Sequence, residues 1–128
     1  MRERGQSIVE LALVLPLLLI VLLGLLDLGR VYYVMVALED MAAEGVSYAT
    51  IHPTEVDEVQ LRAAAGSSGL VTVVTSTIRM ESTGMAPGDT VTVTVPFSYT
   101  FVTPFVSEMF DDGLIVLEGT ATGVIISE

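Results

Sequence analysis

A chain of 128 residues has room for one domain, or for one small domain and a membrane segment. Its net charge of −11, from 16 acidic residues against five arginines and no lysine, repels nucleic-acid phosphates and excludes a nucleic-acid partner. With no cysteine and a single histidine, disulfides and thiolate metal sites are excluded, and no metal or cofactor is expected.

Hydrophobic residues make up 52% of the chain, and the excess is local. Arg2 and Arg4 precede an uncharged run of 16 residues, Leu11–Leu26, built mostly from Leu, Ile and Val; Asp27, Glu39, Asp40 and Glu44 dominate after it. The positive-inside bias then keeps the N-terminus cytoplasmic and sends the rest across the membrane. At about 1.5 Å per residue the run covers roughly 24 Å, short of a bilayer core of about 30 Å. Ile8, Val9 and the stem of Glu10 extend it inward, and Asp27 and Arg30, one helical turn apart, are expected to pair at the outer boundary. The residues beyond the run, Leu-Asp-Leu-Gly-Arg-Val, offer no small-residue cleavage site, so the segment reads as a retained anchor rather than a secretory signal peptide.

The helical pattern continues past the run. Val31, Val34, Met35, Leu38, Met41, Ala42, Gly45 and Ala49 recur at the spacing of one helical face, with Glu39, Asp40, Glu44 and Ser47 opposite. One helix from near Gln6 to about Thr50, roughly 65 Å long, is expected to stop at Pro53. Two readings of Pro16 stand: a functional helix bend, because it cannot donate to the Ala12 carbonyl, or a tolerated membrane proline.

Thr54 reads as the N-cap of a second, short helix that ends near Ala65, before Gly66-Ser67-Ser68-Gly69. Three strands follow. Leu70–Met80 alternates, with Leu70, Val74, Ile78 and Met80 on one face; Thr90–Phe101 carries apolar residues at every odd position; Leu114–Ile126 puts Ile115, Leu117, Ala121 and Ile125 inward. Pro96 predicts a free strand edge nearby, and Gly119 and Gly123 a weakened strand or a bulge. The irregular segment 102–112 holds Phe105, Met109 and Phe110, which fit either a partner patch or a plug for the open end of a small core. Asp111 and Asp112 before Gly113 read as a turn. The fold class expected is α+β: a long N-terminal helix, transmembrane then amphipathic, packed on a small antiparallel sheet with one short extra helix. The helix's apolar stripe supplies the face that some 75 residues after Pro53 need for a core.

No constellation for catalysis is visible. His52 sits in a connector with no Ser or Cys nucleophile spaced to use it, and the glycine-rich stretch at 66–69 lacks the lysine of a phosphate-binding loop, so the chain is not expected to be an enzyme.

Gly5-Gln6-Ser7-Ile8-Val9-Glu10, followed by Leu-Ala-Leu-Val-Leu-Pro-Leu-Leu-Leu, resembles a class III (prepilin) signal, in particular that of the TadE-like pseudopilins of tight-adherence (Flp-type) pilus systems. Asp27-Leu28-Gly29-Arg30, Met41-Ala42-Ala43-Glu44-Gly45 and the alternating Val-Thr tail extend the likeness. The resemblance implies a pilin-like fold and cleavage by a prepilin peptidase between Gly5 and Gln6. Residues 1–5 are then the leader, 6–30 the transmembrane half of the helix, and 31–128 the extracytoplasmic domain. It further implies a minor pilin or pseudopilin whose partners are other pilin subunits through the N-terminal helix, the inner-membrane assembly platform and the lipid bilayer. Glu10 has two readings: an assembly-register residue whose carboxylate meets a neighbouring subunit's α-amino group, or an interfacial side chain reaching water. An adhesin-like tip module and an unprocessed single-pass accessory protein of the secretion machine are the competing functions.

Overall fold

The first 49 residues contain no helix breaker stronger than Pro16, and in a computed structural model of the chain they form a single helix, α1 (Arg2–Ala49). The structure describes residues 2–67, 69, 71–110 and 113–126, without the side chains of Arg2, Glu3, Arg4 and Phe105. The expectations for Leu70, for the Asp111–Asp112 turn and for the Phe105 side chain lie outside the described residues. The remaining elements are α2 (Val56–Ala65), a 3-10 turn (Thr75–Thr77), β1 (Arg79–Ser82), β2 (Thr90–Thr100), the single-turn α3 (Pro104–Ser107) and β3 (Leu114–Val124). This is the expected α+β class. The chain divides into two compact units, Met1–Val31 with Thr100–Ile115 and Tyr32–Tyr99 with Val116–Glu128.

In the larger unit, α1 buries Val34, Leu38, Met41, Ala42, Val46 and Ala49. The predicted stripe is corrected at two points: Met35 is exposed and Val46, absent from the expectation, is buried. Val34, Leu38, Met41, Ala42 and Ala49 hold as read, because the three-and-four spacing keeps them on one face. Val59 and Ala63 of α2, Val71, Ile78 and Ile125 complete the core with the odd residues of β2.

The sheet order is β1-β2-β3, with β1 antiparallel to β2 from Arg79↔Thr94 to Ser82↔Val91. Across β2 and β3 the threonine hydroxyls meet in pairs on the outer face, Thr92 with Thr122 at 2.9 Å and Thr94 with Thr120 at 3.4 Å, which pins the register. Val91, Val93 and Val95 are fully buried and their even neighbours are not, as strict alternation requires. The pairing of β1 ends at Thr94, two residues before Pro96.

The first predicted strand is shorter than its pattern. The Thr77 hydroxyl donates to the Val74 carbonyl (2.7 Å), and Thr77 and Ile78 amides close the 3-10 turn, so local side-chain bonding displaces strand from residues 71–78. Val71 and Ile78 are buried while Val74 faces out, against the face expected for it. The second helix is capped at Glu55 rather than Thr54, with no side-chain cap; the Glu55 carboxylate instead accepts the Tyr48 hydroxyl at 2.6 Å.

Gly119 and Gly123 mark close approach rather than a bulge. A Cβ at Gly119 would overlap the Leu38 carbonyl and the Glu39 amide of α1, and one at Gly123 would lie 2.6 Å from a Val46 methyl. Without a side chain at Gly119, β3 lies directly against helix backbone, and at Gly123 it lies against the side chains of Val46 and Thr50. Gly119→Val is therefore expected to lower the unfolding free energy by about 1–3 kcal/mol, read as a reduced denaturant midpoint of the full chain in detergent. Gly24→Ala, where the added methyl meets nothing within 4 Å, is expected to stay within about 0.5 kcal/mol of the parent.

Candidate functional site

The first residues with a predicted role sit at the start of α1, where the leading amides of a helix have no partner within it and fraying costs little. A Cβ added at Gly5 would meet nothing within 4 Å, so no packed neighbour covers this turn. The Gln6 side-chain amide donates to the Glu10 carboxylate at 3.3 Å across one turn, so the residue after the predicted cut and the predicted register residue face each other. Both are exposed.

From Gly5 to Leu26 every side chain is exposed apart from half-buried Gly24, and an 18-residue window of this helix has a mean hydropathy of 2.9 with none of it buried in the protein. The helix is long and apolar enough to cross a membrane. Helical backbone continues on both sides of Pro16.

At the far end of the run the structure corrects the expected ion pair. Asp27 does not close a bridge to Arg30, which acts on it only as a nearby charge. Its carboxylate instead accepts the backbone amides of Val102 at 3.3 Å and Thr103 at 2.8 Å, and only 3% of the residue remains exposed. The physical reason is that two fixed backbone donors satisfy a buried carboxylate without the side-chain entropy an arginine would lose. Spacing along the helix pointed to Arg30, whereas the actual donors are 75 and 76 residues away in sequence.

One consequence concerns length. With Asp27 covered, the stretch that presents no charge to its surroundings runs from Leu11 to Gly29, about 28 Å of helix. That removes most of the shortfall against a bilayer core of about 30 Å.

Met109 and Phe110 are 70% and 43% exposed, so neither plugs a core; Phe110 stacks on Phe101 with ring centroids 5.0 Å apart. The structure therefore leaves this pair on the surface of the smaller unit.

A polar cluster absent from the sequence expectations lies at the end of α1. Tyr48 stacks on His52 (4.5 Å between centroids), lies under the Arg62 guanidinium (5.1 Å), and donates its hydroxyl to Glu55; Arg62 also pairs with Glu58 at 3.0 Å. The hydrogen bond to Glu55, then burial, pushes the Tyr48 phenol up, so it stays protonated and donating at neutral pH. The i, i+4 spacing of Tyr48 and His52 was the available signal. Among the described residues, no serine or threonine hydroxyl is hydrogen-bonded to this cluster. A shallow groove of about 320 Å³ beside Pro96, Phe97 and Thr77 carries no titratable group. Among the described residues no three His, Asp or Glu side chains converge on a metal position.

Replacing Asp27 by Ala is expected to leave the Val102 and Thr103 amides without their acceptor. Their hydrogen-exchange protection should fall by about ten- to a hundredfold, the equivalent of the 1–3 kcal/mol lost when a buried donor is orphaned. Unchanged protection at Thr103 would contradict the geometry.

No curated protein and no solved structure matches the chain significantly. Residues 5–47, which span the Gly5–Glu10 start, the apolar run, Asp27 and the first part of the packed helix, match the family model described as TadE-like protein, and over this segment the likeness to TadE-like proteins is established.

Proposed function

We propose that the chain is a structural minor pilin or pseudopilin that enters the cytoplasmic membrane through α1 and joins or primes a tight-adherence-type pilus. The observation that carries this reading is a helix half that is apolar all round and wholly unburied by its own fold, within the segment that matches the TadE-like family. Such a surface is stable only in lipid or against other apolar helices, and a pilin uses both in turn. The N-terminus is cytoplasmic, held by Arg2 and Arg4, and the acidic domain lies outside.

A prepilin peptidase removes residues 1–5, and the new α-amino group belongs to Gln6. Glu10 carries a charge into the inner edge of the bilayer at a cost of up to about 2.5–3.5 kcal/mol. The α-amino group of an adjacent subunit offsets that cost at one axial register, which orders assembly. The adhesin-like tip reading draws on exposed Met109 and Phe110, and the accessory-protein reading differs only in that the helix never leaves the membrane.

Mass spectrometry of the protein from intact cells is expected to find Gln6 as the first residue, and Met1 retained in Gly5→Val. Glu10→Gln is expected to be cut normally yet to enter the sheared filament fraction about tenfold less, which corresponds to 1.4 kcal/mol of lost pairing. Parent protein that starts at Met1 and stays wholly with the membrane after shearing would contradict the reading.

A further inference from the structure

The smaller unit joins the apolar half of α1 to segment 100–115, and that segment has two properties that do not suit water. Several of its apolar side chains face out: Val102 is 64% exposed, Met109 70%, with Phe110 and Leu114 also on the surface and the exposed Glu108 beside them, while Phe101 and Val106 are half-buried. Yet most of its described backbone amides are bonded within the protein. The amides of Phe101, Val106, Ser107, Glu108, Met109, Phe110 and Gly113 donate to carbonyls within the segment, those of Val102 and Thr103 donate to Asp27, and Pro104 has none to offer. A loop in water has no need of such closure, whereas a loop in contact with hydrocarbon must satisfy its donors internally.

Its depth is fixed by the same bonds. Asp27 follows Leu26 directly, so Val102 and Thr103 are held within hydrogen-bond distance of the end of the uncharged run. If that run lies in lipid, the segment attached to Asp27 lies at the level where lipid gives way to water.

We infer that residues 101–110 form a second membrane-contacting element, seated in the interfacial zone of the outer leaflet with Val102, Met109 and Phe110 among the phospholipid chains and Asp27 sealed beneath it. The occupant is the lipid that surrounds α1, because the surface is continuous with the spanning helix through Asp27. An interfacial element of this kind sits about 5–10 Å into the headgroup boundary. It fixes how far the helix emerges and closes the outer end of the span over a charge. The inference rests on the membrane-spanning reading of α1.

The chain has no cysteine, so single-cysteine variants carry one label each. Met109→Cys, Met85→Cys and Leu18→Cys replace exposed residues and are to be labelled with an environment-sensitive fluorophore. The full chain is then reconstituted into vesicles of phosphatidylethanolamine and phosphatidylglycerol, with and without lipid brominated along its acyl chains. The expected result is strong quenching at Leu18, quenching at Met109 several-fold above that at Met85, and blue-shifted emission at Met109. Quenching at Leu18 with Met109 no different from Met85 would overturn this inference alone. A blue shift at Met109 without bromolipid quenching would also overturn it, by assigning the surface to protein contact. No quenching at Leu18 would overturn the spanning reading and this inference with it.

Discussion

The Asp27 carboxylate and the two backbone amides that it accepts organise one end of the molecule. A carboxylate one residue past an uncharged apolar run ordinarily marks the point where the run must leave lipid, since an unpaired charge in hydrocarbon is costly. Here the charge is turned inward and covered by residues from a segment 75 positions away. The pair of bonds therefore does two things. It holds the 100–115 segment to the helix, and it lets Leu28 and Gly29 follow Leu26 without a charge exposed between them.

The helix meets two different demands along its length. Before Asp27 it is apolar on every side and contributes nothing to a core, so its stability depends on surroundings supplied from outside the chain. From Val34 to Ala49 it is the central member of a small core, with Leu38, Met41 and Ala42 fully buried beneath sheet and second helix. Gly119 brings β3 onto the helix backbone at Leu38, and at Gly45 an added Cβ would lie only 3.0 Å from the Ala63 methyl and 3.2 Å from a Val93 methyl. These close approaches bring the sheet and the second helix tightly onto one helix in a chain that has no cysteine to cross-link them. The outward faces are held by weaker means, such as the exposed Arg79–Glu118 pair and the threonine ladder, which add little to stability and fix register.

Local pattern made α1, α2 and β2 legible, because their periodicities of 3.6 and 2 are written in consecutive residues. The odd positions of β2 from Val91 to Val95 are buried as read. Failures occurred where a hydroxyl or a distant partner decided the outcome. Thr77 turns a promising strand into a 3-10 turn, and α2 is capped at Glu55 rather than at the expected Thr54, with the Glu55 carboxylate taken by Tyr48. Asp27 was assigned to Arg30 because only neighbours along a helix are visible in sequence; backbone amides have no residue signature at all. The exposed state of Met109 and Phe110 was also undecided by pattern, since an apolar residue in an irregular segment reads alike as plug or surface. The mutual approach of Gln6 and Glu10 was legible in their spacing, whereas any register between subunits depends on a second chain.

The placement of the outer lipid boundary beyond Asp27 is tested most directly by thiol accessibility along the helix. Single cysteines at Leu25, Leu26, Leu28, Tyr32 and Tyr33, all exposed in the isolated chain, are to be challenged with a membrane-impermeant maleimide in right-side-out membrane vesicles. A boundary set by Arg30 predicts protection from Leu25 through Leu28 and rapid labelling at Tyr32 and Tyr33. Labelling of Leu26 and Leu28 as fast as Tyr33 would mean that water reaches the helix at Asp27, and that its carboxylate does not seal the span.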